Sequence, residues 1–198
     1  TAGDGMDTYA GGERLRVIGA TFNRNAGSGI QIKNGFVTDS GYSSGKKGLS
    51  RKIDIIGIEA SHNQVGNGVS IAVNEDSSSY IVSDVSVDGG LFEGNGYAGV
   101  LVNGVRVILN GVKARRNQQI GIAVGIYGRN VELNSCISVA NGTGANTGYG
   151  ALIDGKQVQV NGGTYVGVDS DSYTYATDPA TLTKYHRNNI IITIYAVD

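Results

Sequence analysis

Residues 99–121 read Gly-Val-Leu-Val-Asn-Gly-Val-Arg-Val-Ile-Leu-Asn-Gly-Val-Lys-Ala-Arg-Arg-Asn-Gln-Gln-Ile-Gly, and this stretch decides the fold. It opens on a glycine followed by apolar-x-apolar. It then passes through a second alternating run, Val107-Ile-Leu109, and reaches Asn117 before the next glycine restarts the phrase. Alternation at period two marks strands, not helices. The opening phrase recurs as Gly29-Ile-Gln-Ile, Gly68-Val-Ser-Ile, Gly121-Ile-Ala-Val and Gly150-Ala-Leu-Ile, with Gly5-Met-Asp-Thr as an earlier, degenerate copy. The second run recurs as Leu15-Arg-Val17, Ile53-Asp-Ile55, Val85-Ser-Val87, Val131-Glu-Leu133 and Val158-Gln-Val160. Asn25, Asn63, Asn95 and Asn141 hold the place of Asn117.

From Gly99 to Gly121 the repeat takes 22 residues, whereas Gly29 to Gly68 takes 39. Three short strands and three turns need roughly 20 residues, so the shortest repeat has nothing spare and the longer ones carry insertions at turns. A leucine-rich repeat would keep a fixed period and a Leu consensus, and neither is present. The expected fold is all-β: a single-stranded, right-handed parallel β-helix (solenoid) of about six coils over residues 1–168. A C-terminal cap or oligomerisation segment is expected over 169–198. There the glycine phrase stops, Pro179 interrupts the chain, and Ile190–Tyr195 is strongly β-prone.

Alternation assigns Ile30 and Ile32, Val69 and Ile71, Val100 and Val102, Ile122 and Val124, and Ala151 and Ile153 to the interior. Ala20, Ile58, Gly90, Val112, Cys136 and Gly163 form a further inward column, which makes Cys136 a small core residue. The asparagines read as a structural ladder at one turn, tolerant of left-handed backbone and hydrogen-bonding successive turns.

Composition narrows the function. The chain has 198 residues, 16 basic and 17 acidic, for a net charge of −1. That balance gives no reason to expect nucleic acid or an anionic membrane as partner. With 32 glycines, one proline and no G-X-Y period it is not collagen, and 40% apolar residues is too many for a disordered chain. A single cysteine excludes an internal disulfide and a cysteine-rich zinc site. No metal constellation or cofactor motif is visible. No apolar run reaches the roughly 18 residues of a membrane span, so no membrane insertion is expected. The opening residues, TAGDGMDTYAGG, carry neither an initiator Met nor a basic-then-apolar leader, and are expected to lie within a longer protein.

Outward positions carry the candidate chemistry. One column runs Asp7, Gln31, Ser70, Leu101, Ala123, Leu152, and the next Tyr9, Lys33, Ala72, Asn103, Gly125, Asp154. The N-terminal end is polar and the C-terminal end small and apolar. The candidate catalytic residues are therefore Asp4, Asp7, Tyr9 and Lys33. Two carboxylates a few ångströms apart suit glycoside hydrolysis, one protonating the leaving oxygen while the other activates water or attacks carbon. A lysine that neutralises a uronic acid's carboxylate, with a tyrosine or carboxylate to shuttle protons, suits β-elimination or C5 epimerisation. Asp-Gly is equally an ordinary turn, and Asp beside Lys an ordinary surface pair. The candidate substrate-binding residues are Gln31, then Glu13 and Arg14 in the adjoining loop, Tyr42 and Lys46 in the inserted stretch from Asp39, and Asn74 opening a second insertion. Insertions gathered on one side of a solenoid commonly mark its binding side. His62 and Arg115-Arg116 read as solvated turn residues.

These phrases resemble the pectate-lyase-like β-helix superfamily over about residues 4–169. The stretch Gly3-Asp-Gly-Met-Asp-Thr-Tyr9, with Arg14 to Lys33 following, looks like the β-helices of phage tailspikes and capsule depolymerases. It is also similar to the catalytic coil of mannuronan C5-epimerases, whose motif is Tyr-Gly-Phe-Asp-Pro-His-Glu. Asp7 matches the aspartate, Asp4 stands at the tyrosine and Tyr9 at the histidine, and the family's second aspartate falls at Lys33. The resemblance implies a polysaccharide depolymerase, hydrolase or lyase, acting on a bacterial surface polysaccharide. It implies a homotrimer on a virion tail or in the extracellular medium, with Asp4 and Asp7 in the place of paired tailspike carboxylates. The alternatives are a non-catalytic glycan-binding or structural shaft, and a secreted epimerase or alginate-lyase-like enzyme.

Overall fold

The computed structural model describes residues 3–8, 12–33, 50–72, 82–142 and 148–167. Among these there is no helix. The strands are β1 (Met6–Asp7), β2 (Arg16–Ile18), β3 (Ile30–Ile32), β4 (Arg51–Ile56), β5 (Glu59–Ser61), β6 (Val69–Ile71), β7 (Ser83–Asp88), β8 (Leu91–Glu93), β9 (Ala98–Val102), β10 (Val105–Asn110), β11 (Lys113–Arg115), β12 (Ile120–Val124), β13 (Arg129–Asn141), β14 (Tyr149–Ile153) and β15 (Lys156–Gly167). The pairings between them are parallel and fall into two sheets. The first runs β1-β3-β6-β9-β12-β14; the second runs β2-β4-β7-β10-β13-β11-β8-β5, with β15 on β13. The chain therefore visits one sheet and then the other, advancing one strand spacing per repeat.

Burial in the shortest repeat shows how the sequence does this. Val107, Leu109, Val112, Ala114 and Asn117 are buried, at intervals of two, three, two and three residues. Each interval of three contains a residue in the left-handed region, Gly111 at φ 58° or Arg116 at φ 55°. Such a residue turns two consecutive side chains to the same side, so strict alternation slips by one and the strand bends. The slips are in register from repeat to repeat. Gly19, Gly57, Gly89, Gly111, Ser135 and Gly162 make one column, and Arg24, His62, Gly94, Arg116 and Ala140 make another. A third, at the entry to the second sheet, is Arg14, Lys52, Asp84, Arg106, Asn130 and Gln157. At the asparagine turn the left-handed residue is the one before each Asn, not the Asn itself as the sequence had suggested.

The core lies between the sheets. Every residue assigned inward on the first sheet, from Ile30 to Ile153, is fully buried, and they form one cluster with Ile53, Ile55, Val85, Val87, Leu109 and Leu133 of the second. Volumes compensate along two adjacent inward columns. Ile58, Val112 and Cys136 each stand two residues before a small side chain, Ala60, Ala114 or Ser138. Gly90 and Gly163 stand two before Phe92 and Tyr165. A Cβ at Gly90 would come within 3.2 Å of the Phe92 ring, and one at Gly163 within 3.0 Å of the Tyr165 ring. Cys136 is a core residue as expected, and burial pushes its thiol pKa up.

The restarting glycines stack at one turn, for a reason other than backbone freedom. A Cβ at Gly5, Gly29, Gly68, Gly99 or Gly121 would lie 2.6–2.7 Å from the carbonyl oxygen of the next glycine in the column. No larger residue fits such a backbone approach. Beside them runs the asparagine ladder. The backbone N–H and Nδ2 of Asn25 both donate to Asn63 Oδ1, at 3.0 and 2.9 Å. Asn63 does the same to Asn95, Asn95 to Asn117, and Asn117 to Asn141. The second amide hydrogen of Asn63, Asn95, Asn117 and Asn141 reaches the carbonyl of Phe22, Ala60, Phe92 and Ala114 respectively.

Candidate functional site

Asp7 and Lys33 meet at the polar end of the first sheet's outer face. β1 pairs with β3 so that Asp7 stands beside Gln31, and the Lys33 Nζ lies 2.7 Å from Asp7 Oδ2. Their side chains keep 31% and 18% of their exposure, so the pair is accessible but partly shielded. The backbone of Lys33 is also held. Its N–H donates to Thr8 Oγ1 at 3.2 Å, and its carbonyl accepts from Ser50 Oγ at 2.8 Å. Thr8 and Ser50 are both buried, and Ser50 Oγ in turn accepts the Gly12 N–H at 3.1 Å. This corner joins the end of a first-sheet strand to the approach of the second sheet.

Asp4 takes a different position. Its Oδ1 accepts the Ser28 backbone N–H at 2.6 Å, closing the turn ahead of β1 onto the one ahead of β3. Gln31 is half-buried beside Asp7. Glu13 pairs with Arg51 at 3.1 Å, and Arg14 is exposed next to it in the left-handed region. Tyr9, Tyr42, Lys46 and Asn74 lie outside the described residues, as do both insertions and residues 168–198, which include the whole expected cap.

Farther along the same face the chemistry thins out. Ser70 and Ala123 are 3% and 4% exposed, and Ala98, Ile120 and Ala123 form a small apolar cluster edged by Tyr97, Leu101, Tyr149 and Leu152. No helix among the described residues is long and apolar enough to cross a membrane. Among those residues no three of His, Cys, Asp and Glu gather as metal ligands would.

The outer face of the second sheet carries charge that the sequence reading passed over. Arg106 grips Asp84 through two nitrogens, at 2.6 and 2.9 Å, and this holds the Asp84 carboxyl down at about 2. Glu93 is shared between Arg115 at 2.8 Å and Arg116 at 3.0 Å. Burial opposes its charge, but the two guanidiniums overcome that and hold its pKa below the ordinary value. Arg115 and Arg116 are thus ion-paired and not merely solvated. Next to them a polar line runs along the sheet. Asn161 donates to Asn134, Asn134 to Asn110, and Asn110 to Asp88, with Ser86 between Asp88 and Asp54. One signal in the sequence could have found the charged edge: two consecutive polar residues precede nearly every second-sheet apolar run, as in Glu13-Arg14, Arg51-Lys52 and Arg129-Asn130. Compared with protein-family models, curated proteins and solved structures, the chain matches none of them.

Proposed function

We propose that the chain winds as a right-handed parallel β-helix of about six coils and serves as the polysaccharide-binding and -degrading region of a phage tailspike. Its substrate on this reading is a bacterial surface glycan, cleaved by hydrolysis or elimination. The two parallel sheets visited in alternation support the winding, and parallel crossovers are right-handed in about 98% of cases. The pectate-lyase-like resemblance belongs to the same proposal. So do a homotrimer and a place on a virion tail or in the extracellular medium, and these rest on the resemblance alone.

The observation that carries the chemistry is the Asp7–Lys33 pair. Asp4 is engaged in its turn, which leaves Asp7, of the two candidate carboxylates, on the sheet's face. A sugar carboxylate arriving at Lys33 would compete for the same ammonium and release Asp7 to act as base or nucleophile, while Lys33, by neutralising the sugar carboxylate, would acidify the proton next to it. The test is turnover of a bacterial surface glycan by wild type and Asp7→Asn, with products read by mass. Hydrolysis adds water, and elimination leaves unsaturated ends. A fall of about a hundredfold or more is expected for a general acid or base; equal rates would remove Asp7 from the mechanism. A second reading, a glycan-binding or structural shaft without catalysis, is favoured by one fact: Asp7 and Lys33 already satisfy each other. Wild type that binds the glycan but releases no product would establish it.

A further inference from the structure

We propose that a separate binding strip for an acidic polysaccharide runs along the corner where the chain enters the second sheet. It rests on the polysaccharide reading above and extends it to the ligand's charge and to a site away from Asp7. In register across the repeats, Glu13, Arg51, Ser83, Val105, Arg129 and Lys156 form one column. The residue after each of these is the left-handed column Arg14, Lys52, Asp84, Arg106, Asn130 and Gln157. The left-handed geometry is what creates the strip. It lets two consecutive side chains face outward where strict alternation would send one into the core.

These twelve positions hold six basic residues and two acidic ones. They concentrate four net positive charges on one edge of a chain whose overall net charge is −1. The six cations are exposed. Glu13 and Asp84 neutralise Arg51 and Arg106. Arg14, Arg129 and Lys156 have no carboxylate partner among the described residues, and Lys52 adds its field to that of Arg106 on Asp84. Six strands at the usual parallel spacing make the strip about 24 Å long, with cations recurring along it as charges recur along a linear polyanion. Ser83, Asn130 and Gln157 place hydroxyl and amide groups between them, suited to sugar hydroxyls. None of the twelve is aromatic, whereas single-stranded nucleic acid is bound by stacking its bases on aromatic rings. The strip passes through Arg51, next to the Ser50 whose hydroxyl holds the Lys33 backbone.

The test uses the full chain and three probes of matched length: an oligogalacturonate, a neutral malto-oligosaccharide and single-stranded DNA. Oligogalacturonate is expected to bind more tightly than the neutral sugar and to weaken as salt rises. Its affinity should fall at least about tenfold in Arg129→Gln/Lys156→Gln. Both side chains are exposed, so melting should be unchanged and the loss is not one of folding. Unchanged affinity in that double variant would overturn the strip, as would equal binding of the neutral sugar. DNA binding more tightly than oligogalacturonate would make the strip a nucleic-acid surface instead. The two proposals fail separately. Turnover that depends on Asp7 with normal binding in the double variant leaves the enzyme and removes the strip, and the reverse result leaves the strip and removes the enzyme.

Discussion

Asn95→Ala tests what holds the repeats together at the asparagine turn. In the wild type Asn95 Oδ1 accepts two hydrogen bonds from Asn63, from its backbone N–H at 3.2 Å and its Nδ2 at 2.8 Å. Asn95 Nδ2 donates to the Ala60 carbonyl at 3.0 Å and to Asn117 Oδ1 at 2.9 Å. Alanine removes all four. Asn117 Oδ1 still receives the Asn95 backbone N–H, at 3.0 Å, so it keeps a partner. The Ala60 carbonyl keeps its ladder bond from the Glu93 N–H, but two groups lose their partner: the Asn63 N–H and one Asn63 amide hydrogen, in a residue that is fully buried. An orphaned buried group costs roughly 1–3 kcal/mol, so for the two together the loss is about 4 kcal/mol. Asn25→Ala is the internal comparison. Asn25 ends the ladder, and Asn63 Oδ1 retains its bond from the Asn25 backbone, so about 1 kcal/mol is expected. The assay is urea unfolding followed by far-UV circular dichroism, since the chain has no tryptophan. Equal losses in the two variants, within about 1 kcal/mol, would refute the ladder as the source of stability. Asn95→Asp adds a sign. Burial would raise the new acid's pKa in the folded state above its unfolded value. Its stability should therefore be highest in acid and fall as pH rises towards neutrality.

Ile32→Asp should cost about 4 kcal/mol or more, because Ile32 is fully buried between strands that place Ile71 and Val102 in line with it; a melt unchanged from wild type would put the side chain outside. Gly99→Ala should cost about 3 kcal/mol, since its methyl would meet Gly121 O at 2.7 Å, Ala114 Cβ at 2.8 Å and Asn117 Nδ2 at 2.9 Å, and denaturant titration would show it. Asp84 has a folded pKa of about 2 against an ordinary 3.8, so its pairing with Arg106 stabilises the fold above that ordinary value and is lost as pH falls toward 2. The pair is exposed, so the contribution is at most about 1 kcal/mol. Asp84→Asn should be slightly less stable at neutral pH and converge with wild type near pH 2; a constant difference across that range would contradict the assignment.

The all-β organisation was legible because it is written in local pattern. Gly29-Ile-Gln-Ile and its copies announce short strands. Their inward residues could be named one by one, since alternation depends only on neighbours along the chain. The glycine and asparagine columns were legible as repeats, but their physics was not. The glycines are needed because a carbonyl from the next repeat passes within 2.7 Å of where a Cβ would stand, and that carbonyl lies 22 to 39 residues away in the chain. The same holds for the left-handed residue at the asparagine turn. Nothing in Arg116 or His62 signals it, because the ladders on either side impose it.

At the candidate site the sequence placed Asp7 and Lys33 in adjacent columns one repeat apart, which is as far as register counting reaches. The tertiary structure decided that the two form a 2.7 Å pair and that Asp4 is drawn into the Ser28 turn, since both depend on how far each repeat is offset from the next. The basic strip shows the same division. Its residues are spread from Glu13 to Lys156, and no window of sequence contains more than two of its columns' members from a single repeat. Composition alone reported near neutrality, because it sums charge without regard to position. Parallel stacking in register brings every such pair to the same edge, and the left-handed residue in each turns both side chains outward. By itself the sequence therefore determined which residues are strand and which face the core; only the assembled sheets decided which charges meet, because those meetings are contacts between residues tens of positions apart.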